Sequence, residues 1–338
     1  MIGLRNTTWR ETVIPMTRRP LCEFLVASCV PEGGACRYRL YEDGELEHTD
    51  TVSMPSPMFL QATDVLWAVL RAPFSGSVES GFAAYDLKTG KALTDIVSTK
   101  GTVACHIAVE GNDVYCANYV SGSVFKSPNK LDVHCGHGVN AARQESPHVH
   151  SVLLSPDKKY LLSCDLGLDT VFVYDRDLNE ISRAKVPNGN GARHAVFSKD
   201  GSYVYCMNEM SATVSVFAYD KGHLTYLREV DIKPEGYIRE GKGSAIKLSR
   251  DGKRLYVTER GSETIALLAV NGEELTPVSF TDSHGAEPRD FSLIADERWA
   301  ICTNQFGNNF SLYKVEDDGR LTFVRCVPLP APLCVIEL

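Results

Sequence analysis

Histidine, arginine and acidic residues recur at two fixed places in a motif that this chain repeats. His150 and Arg193 begin two copies of the motif, and Glu209 and Arg260 end two copies. An imidazole can act as a general acid or base because its unperturbed pKa lies near neutrality. A carboxylate can orient that imidazole or serve as the base, and guanidinium groups bind carboxylates or phosphates and stabilise developing negative charge. These residue types point to acid–base chemistry at a site that binds anions.

The motif that positions these residues is a short alternating strand, a tight turn with an aspartate, and a second strand with a polar end. Its four clearest copies read HSVLLSPDKKYLLSCD from His150, RHAVFSKDGSYVYCMNE from Arg193, AIKLSRDGKRLYVTER from Ala245 and RDFSLIADERWAICTNQ from Arg289. The copies recur about every 40–50 residues, a spacing typical of β-propeller blades. A propeller has one central channel, so equivalent positions of its blades converge there.

Two further copies precede these, FLQATDVLWAVLR from Phe59 and HIAVEGNDVYCANY from His106. Each hairpin is followed by two more alternating segments, which gives four strands per unit. The seventh unit is predicted in two pieces, with outer strands in residues 23–54 and an inner strand in residues 333–338. Pairing of these terminal strands would close the ring and remove exposed sheet edges. The sequence thus predicts an all-β, seven-bladed propeller with four antiparallel strands per blade.

Strand geometry predicts where the candidate residues meet. The two strands of each hairpin are antiparallel, so the start of the first and the end of the second lie at the same face of the ring. The polar residues at the starts are His106, His150, Arg193, His194, Arg289 and Asp290. Those at the ends are Arg71, Asn118, Asp165, Glu209, Arg260 and Gln305. Titratable groups at a channel mouth predict a functional site, although rim loops are also polar simply because they are wet.

Composition indicates how many domains the chain contains and argues against nucleic-acid binding and a membrane span. The chain has 338 residues with a formal net charge of −8, and its basic residues are not clustered, which argues against nucleic-acid binding. No apolar run approaches the roughly 18 residues of a membrane span. Residues 1–22 contain charges throughout and lack the apolar core of a signal peptide. We therefore expect an N-terminal extension followed by one propeller domain over residues 23–338.

Cysteine and histidine usage predicts neither a disulfide framework nor a metal centre. The eleven cysteines fall mostly inside predicted strands, where a thiol packs as a small apolar residue, and their odd number favours a reducing cytoplasm. His134, His137, His148 and His150 form a histidine-rich stretch, but no second ligand pair with zinc-finger spacing follows it. We expect no metal and no organic cofactor, with bound zinc as the alternative interpretation.

The blocks around these residues resemble one known family. GVNAARQESPHVHSVLLSPDKKYLLSCDLGLDTVFVYD (138–175) is similar to the signature of the seven-bladed β-propeller lactonase family, which includes cycloisomerase-type 6-phosphogluconolactonase and fungal carboxy-cis,cis-muconate cyclase. GNGARHAVFSKDGSYVYCMNE, TERG and PRDF resemble three further family elements, and the resemblance extends over nearly the whole predicted domain. Ala192 replaces the usual proline before Arg193, and Glu259 replaces the usual asparagine before Arg260.

This resemblance implies both a site and a reaction. It implies catalytic roles for His150, Glu209, Arg193 and Arg260, and substrate-binding roles for His148, Asp165, His194 and Arg289. The implied reaction is hydrolysis of a sugar-acid lactone, such as 6-phosphogluconolactone or a related aldonolactone, without a metal or organic cofactor. In this interpretation His150 and Glu209 provide acid–base catalysis, and the arginines bind an anionic small-molecule substrate.

Two other functions are open at this point. A lactonising cycloisomerase that acts on a muconate-type dicarboxylate could use the same histidine, glutamate and arginine side chains. A propeller without enzymatic activity could instead bind a partner on one face, and such a protein would expose an apolar or aromatic patch. The sequence specifies neither the natural substrate nor the oligomeric state.

Overall fold

The computed structural model describes residues 18–338, which form seven four-stranded antiparallel sheets. In each sheet the strands are neighbours in chain order, except that the last strand of the chain joins the sheet of the first three. Each innermost strand contacts the innermost strands of the two neighbouring sheets, so the seven sheets form a closed ring of blades. The predicted all-β, seven-bladed fold is therefore confirmed.

Blades are numbered here along the chain, and their strands are given from the innermost outwards. Blade 1 contains β28 (Pro332–Glu337), β1 (Cys22–Ser28), β2 (Gly34–Leu40) and β3 (Leu46–Ser53). Blade 2 contains β4 (Pro57–Ala62), β5 (Leu66–Leu70), β6 (Glu79–Tyr85) and β7 (Val97–Thr102). Blade 3 contains β8 (Ala104–Glu110), β9 (Asp113–Asn118), β10 (Ser123–Lys126) and β11 (Lys130–Val133). Blade 4 contains β12 (Val149–Leu154), β13 (Tyr160–Asp165), β14 (Thr170–Asp175) and β15 (Glu180–Lys185).

The remaining three blades follow the same order. Blade 5 contains β16 (Ala192–Phe197), β17 (Tyr203–Asn208), β18 (Thr213–Asp220) and β19 (His223–Asp231). Blade 6 contains β20 (Gly243–Leu248), β21 (Arg254–Glu259), β22 (Thr264–Asn271) and β23 (Glu274–Asp282). Blade 7 contains β24 (Pro288–Ile294), β25 (Trp299–Asn304), β26 (Asn309–Val315) and β27 (Leu321–Pro328). The described part of the chain has no helix with the length and apolar composition that a membrane crossing requires.

Strands from both ends of the chain close the ring in blade 1. β1 pairs antiparallel with β28, and Phe24 lies opposite Glu337. This is the split blade that the sequence predicts. β1 begins at Cys22, and residues 1–17 of the predicted N-terminal extension lie outside the described residues.

Side chains from facing sheets form the core between neighbouring blades. Between blades 4 and 5, for example, Leu162 and Val173 pack with Val204 and Phe217, and all four side chains are fully buried. Burial of one large apolar side chain contributes roughly 1.5–3 kcal/mol. The outermost strands, such as β15, alternate between exposed and partly buried residues because only one of their faces is covered.

A repeated Ser-x-Asp turn joins the innermost and second strands of blades 4, 5 and 6. In blade 5 the Ser198 hydroxyl donates to Asp200 (2.6 Å) and accepts the backbone N–H of Tyr203 (2.9 Å). Asp200 also accepts the backbone N–H of Ser202 (3.0 Å), and Gly201 adopts the positive φ of 74° that the turn requires. The serine bonds recur in blades 4 and 6, so these repeated aspartates are structural.

Each innermost strand contains a β-bulge near its start, where one extra residue has no partner on the second strand. In β12, Val149 pairs with Asp165 and Ser151 pairs with Cys164, which leaves His150 unpaired. The corresponding residues of the other blades are Leu333, Met58, Cys105, Arg193, Ser244 with Ala245, and Arg289. A bulge re-aims a side chain. These bulges turn side chains from successive blades toward the channel.

Candidate active site

Side chains from all seven blades line a cavity of about 390 Å³ at one mouth of the channel. Five lining residues are the bulge residues Leu333, Met58, Cys105, His150 and Arg289. Six others are the first residues after the second strands of their blades, namely Cys29, Arg71, Tyr119, Glu209, Arg260 and Gln305. The remaining lining residues are Val103, Arg143, Lys242 and Glu287. Two equivalent backbone positions per blade therefore build most of this cavity, which we call the active cavity.

Glu209 is the centre of a buried ion network in the active cavity. Its Oε1 accepts a hydrogen bond from Nη2 of Arg143 (2.6 Å), and its Oε2 accepts one from Nε of Arg193 (3.0 Å). Nη2 of Arg260 lies 3.1 Å from the same Oε2. Burial alone would raise the pKa of Glu209, but the charges of Arg260 and Arg193 outweigh burial and hold that pKa well below its usual range. The Glu209 carboxylate therefore stays ionised and is a weak base.

His150 lies beside this network as a neutral imidazole. Its Nε2 is 3.7 Å from Oε2 of Glu209, and its Nδ1 is 3.8 Å from the Cys105 thiol. Burial and the positive charge of Arg193 lower the pKa of His150 well below its usual range, although Glu209 opposes this shift. The contact with Glu209 is therefore not an ion pair at neutral pH. A proton accepted by this ring would be stabilised by the carboxylate.

Two of the predicted catalytic arginines are already bound to protein acceptors. Arg193 donates through Nη1 to the Ser244 carbonyl (2.6 Å), in addition to its bond with Glu209. Arg260 donates to Glu287 (2.8 Å) and to two backbone carbonyls (3.2 and 3.1 Å). Arg260 thus directs four contacts to protein acceptors, whereas Arg193 uses two of its five N–H donors in this way.

Three other cations of the active cavity have no acceptor among residues 18–338. The side chains of Arg71, Lys242 and Arg289 line the cavity without a hydrogen bond or ion pair to the described residues. Burial and the neighbouring charge of Arg260 lower the pKa of Arg289. The lining as a whole carries five basic side chains and two carboxylates. This excess of positive charge suits an anionic ligand, which unpartnered guanidinium and ammonium groups would bind through charge-assisted hydrogen bonds.

Comparison with known proteins identifies the family. A family profile described as "Lactonase, 7-bladed beta-propeller" matches residues 25–337. The chain belongs to this lactonase family. Among curated relatives, the 6-phosphogluconolactonase of Bacillus subtilis (strain 168) is 30% identical over 295 residues, which cover 80% of this chain and 83% of the relative.

Solved structures show the same relationship. A protein from Lactobacillus plantarum superposes with a TM-score of 0.85 at 30% identity, and the match covers 94% of this chain and 99% of the other. The periplasmic gluconolactonase of Pseudomonas aeruginosa superposes with a TM-score of 0.84 at 26% identity, with coverage of 94% and 99%. Membership of the lactonase family, which the sequence motifs predict, is therefore confirmed.

Most of the predicted site residues of this lactonase-family chain meet at one place. His150, Glu209, Arg260 and Arg289 line the active cavity. Arg193 lies directly beneath it, on a smaller cavity that His150 and Arg289 also line. His194 lines that smaller cavity and does not reach the larger one.

His148 and Asp165, for which the sequence predicts substrate-binding roles, lie outside the active cavity. Asp165 accepts the backbone N–H groups of His148 (2.8 Å) and Leu168 (3.1 Å), and its Oδ2 lies 2.5 Å from Nδ1 of His134. His148 is buried beneath Tyr119, with ring centroids 4.6 Å apart. Asp165 is the last residue of its strand, whereas in the other six blades the residue that lines the cavity follows the end of the second strand.

Arg143, Lys242 and Glu287 also line the active cavity, but they lie outside the repeated hairpins that predict the site. Arg143 belongs to the long connection between blades 3 and 4, and it reaches the central carboxylate from there. Gln144, which is fully buried, fixes this connection through two side-chain hydrogen bonds. The Arg-Gln pair of the family motif is the signal in the sequence that marks this connection.

The structure also shows the state of the cysteines and the contacts of the histidine-rich stretch. All eleven cysteines are free thiols, and burial raises the pKa of Cys105 to about 12, which makes it a poor nucleophile. His134 contacts Asp165 and lies 2.6 Å from the hydroxyl of Tyr174, whereas His137 is exposed. Within residues 18–338, no three His, Cys, Asp or Glu side chains are placed to hold a metal ion.

Proposed function

We propose that this chain is a carboxylic ester hydrolase that opens an anionic sugar-acid lactone, 6-phosphogluconolactone or a related aldonolactone. The observation that carries the proposal is one cavity that combines a neutral, buried imidazole with cations that lack protein acceptors. His150 supplies the imidazole, and Arg71, Lys242 and Arg289 supply the cations. The relatives named 6-phosphogluconolactonase and gluconolactonase support the same substrate class.

A lactone is a cyclic ester, so its hydrolysis needs an activated water and stabilisation of an oxyanion. His150 takes a proton from the water while the water oxygen attacks the lactone carbonyl. The ring C–O bond then breaks, and the departing alkoxide receives the proton from the imidazolium. The product is a hydroxy acid, which ionises at neutral pH and releases one proton per turnover.

Glu209 prepares His150 for this proton transfer. The ionised carboxylate lies 3.7 Å from the imidazole, so it stabilises the imidazolium that forms when the ring takes a proton. Arg143, Arg193 and Arg260 compensate the buried carboxylate and hold it in place. Both carboxylate oxygens of Glu209 already accept hydrogen bonds from arginines, whereas neither ring nitrogen of His150 is bound to a cation within residues 18–338. The geometry therefore favours His150 as the general base and Glu209 as its positioning residue.

The cations without protein acceptors form the anion site in this proposal. A phosphate or carboxylate placed among Arg71, Lys242 and Arg289 would receive charge-assisted hydrogen bonds from each of them. The Arg289 guanidinium is also suited to stabilise the tetrahedral oxyanion, because Arg289 and His150 line the same cavity. A non-enzymatic propeller would not need a buried imidazole and carboxylate together at this mouth, so the arrangement favours an enzyme.

A pH-indicator assay over a panel of lactones, each with and without a 6-phosphate, tests the proposed function. Lactone opening releases acid, so we expect rapid acidification with a sugar-acid lactone and faster turnover with the anionic members. Acidification no faster than the uncatalysed reaction for every lactone would overturn the hydrolase assignment. Loss of the ultraviolet absorbance of a conjugated muconate would identify the cycloisomerase instead.

The cellular compartment is a further part of the proposal. We assign the chain to a reducing cytoplasm because its eleven cysteines are free thiols, and Cys135 and Cys326 among them are exposed. The related Pseudomonas aeruginosa protein is described as periplasmic. Cell fractionation of the native host, followed by detection of the protein with a specific antibody, tests this assignment. Recovery of the protein in an oxidising compartment would contradict it.

A further inference from the structure

Three imidazoles follow one another down the propeller channel from the active cavity. The ring centroids of His150 in β12 and His194 in β16 are 5.2 Å apart. Those of His194 and His106 in β8 are also 5.2 Å apart. Phe59 packs against the last of these rings, with centroids 4.0 Å apart. The proposed base is thus the first of three rings, and the lactone chemistry derived above uses neither of the other two.

A series of cavities accompanies this row of rings. The active cavity shares His150 with a small cavity of about 20 Å³, which in turn shares His194 with a third cavity of about 90 Å³. The third cavity shares His106 with a pocket of about 440 Å³ at the opposite face, where Lys158 and Glu337 lie. A cavity needs about 10–15 Å³ to hold one water molecule. Cavities large enough for water therefore lie on both sides of each ring.

Polar atoms without protein partners line the middle of this series. Nδ1 of His106, Nε2 of His194 and Oγ of Ser151 are buried and form no hydrogen bond within the described residues. All three residues line the cavity of about 90 Å³. Buried polar atoms nearly always have a partner, and ordered water serves where the protein offers none. The channel below His150 is accordingly built to hold water.

We propose that this row of imidazoles is a proton path between the active cavity and the opposite face of the propeller. The inference rests on the proposed lactonase function, in which each turnover releases one proton inside the active cavity. Five basic side chains line that cavity, and their positive charge opposes the exit of a proton through its mouth. A neutral imidazole has one donor and one acceptor nitrogen, and can accept a proton on one side while it releases another. His150, His194 and His106, with water between them, pass the proton to solvent.

The charges beside the row keep its rings neutral at rest. Burial, Lys247 and Arg193 together lower the pKa of His106 to about 3. Burial and Arg193 lower the pKa of His194 well below its usual range. Two acidic groups lie next to the row: Oε2 of Glu209 is 3.7 Å from Nε2 of His150, and Oδ1 of Asp290 is 3.9 Å from the Lys247 ammonium. Each ring at rest therefore has one donor and one acceptor nitrogen, the state from which a proton can be relayed.

Nitrogen-15 NMR of the histidine rings tests the hydration of this path without any substrate. The chain has nine histidines, and spectra of the His106→Gln and His194→Gln variants assign the relevant signals. We expect the ring N–H protons of His106 and His194 to exchange with solvent within seconds and to show cross-peaks to water. Ring protons that persist for hours would reveal a dry channel. That result overturns the path whether or not the protein is a lactonase.

Turnover measurements then test proton transfer itself. In weak buffer, we expect His106→Gln and His194→Gln each to lower kcat roughly tenfold or more, because a proton-transfer step becomes limiting. KM should stay unchanged, and added imidazole should restore kcat. Val152→Ala is the packing control, since it trims an apolar side chain on the same cavity. It should keep full kcat, and thermal unfolding verifies that all three variants are folded.

Two results would overturn the path in an active enzyme. One is an unchanged kcat in both histidine variants, and the other is a loss that imidazole does not restore and that Val152→Ala shares. A wild-type protein that opens no lactone would instead contradict the proposed function. The two failures are distinguishable because the NMR experiment needs no turnover.

Discussion

Cationic side chains in the active cavity fall into two groups, according to whether protein acceptors already neutralise them. Arg193 and Arg260 are bound to Glu209 and to backbone carbonyls. Arg71 and Arg289 have no acceptor among the described residues. Loss of a cation of the first group removes one of the three ion pairs that compensate buried Glu209, whereas loss of one of the second group removes only a partner of the substrate. The two groups should therefore give separable phenotypes.

Arg289→Gln is expected to raise KM for an anionic lactone roughly tenfold, because one charged hydrogen bond is worth about 1.5–3 kcal/mol. Its melting temperature should stay close to that of the wild type. Arg260→Gln is expected to cost about 3 kcal/mol of folding free energy, since it removes the ion pair of Glu287 and one of the three ion pairs of buried Glu209. Steady-state kinetics and urea denaturation measure the two effects. Equal losses of stability in both variants would contradict the grouping.

His150→Gln is expected to lower kcat by about 10²-fold or more, because the variant has no ring nitrogen to take the proton of the attacking water. The matched control is His223→Gln, an exposed position in blade 5 far from the channel mouth, which should retain full activity. The pH-indicator assay measures both. Full turnover in His150→Gln would remove this imidazole from the mechanism.

The pH dependence of kcat/KM should report the lowered pKa of His150. The ring acts as a base only when neutral, so activity falls as the pH drops through that pKa. Burial and Arg193 hold the pKa below its usual range, and we expect the acid limb below about pH 6.5. Arg289→Gln removes another positive charge that lowers this pKa, so its acid limb should lie at higher pH. A wild-type acid limb above pH 6.5 would contradict a neutral His150.

Among the elements, the blade hairpin could be predicted from the sequence and the bulge could not. Apolar alternation and Ser-x-Asp turns mark the two strands, because both depend on local chemistry. A bulge adds one residue to a strand without changing its composition, so the sequence does not show that Cys105 and His150 occupy equivalent positions. The same one-residue uncertainty affects Asn118, which the sequence predicts at the site: it is the last residue of its strand, and Tyr119 after it lines the active cavity.

The connections between blades were the other part that sequence patterns did not reveal. Arg143 and Lys242 reach the active cavity from such connections. Their paths depend on tertiary contacts such as those of buried Gln144, and no local periodicity encodes those contacts. Predicted residues inside the hairpins, such as His150 and Glu209, were located correctly because strand direction alone places them at one face.

The Ser-x-Asp turns should contribute measurably to stability. Ser198→Ala removes the hydroxyl that bonds Asp200 and the N–H of Tyr203, and the expected loss of unfolding free energy is about 1 kcal/mol. The Ser198 bond lowers the pKa of Asp200, so its contribution is present above the ordinary carboxyl pKa and is lost as the pH falls below about 4. The difference between wild type and variant should shrink at that acidity. Urea denaturation against pH measures it, with exposed Lys199→Ala as control.

At the scale of the whole molecule, the ring depends on a single pair of strands from opposite ends of the chain. β28 completes blade 1 by pairing with β1, and its innermost residues Cys334 and Val335 are buried. The sequence predicts this pairing because the outer strands in residues 23–54 have no inner strand before them, and residues 333–338 supply one. Without β28, β1 would present an unpaired edge to the channel.

Deletion of residues 333–338 is expected to abolish cooperative unfolding and to promote association through the exposed edge of β1. Deletion of Leu338 alone is the control, because this residue is exposed and follows β28. Thermal unfolding and size-exclusion chromatography compare the two truncations. A shortened chain that unfolds at the wild-type temperature would show that the ring does not need this strand.

The seven bulges have a consequence for how such proteins diversify. Blades 1 to 3 place the apolar Leu333, Met58 and Cys105 at this position, whereas blades 4, 5 and 7 place His150, Arg193 and Arg289 there. A residue without a cross-strand neighbour makes little demand on the sheet ladder, so mutation can exchange its side chain at small cost to folding. Evolution can accordingly revise substrate preference one blade at a time, and homologues with the same toroid need not share a metabolic role.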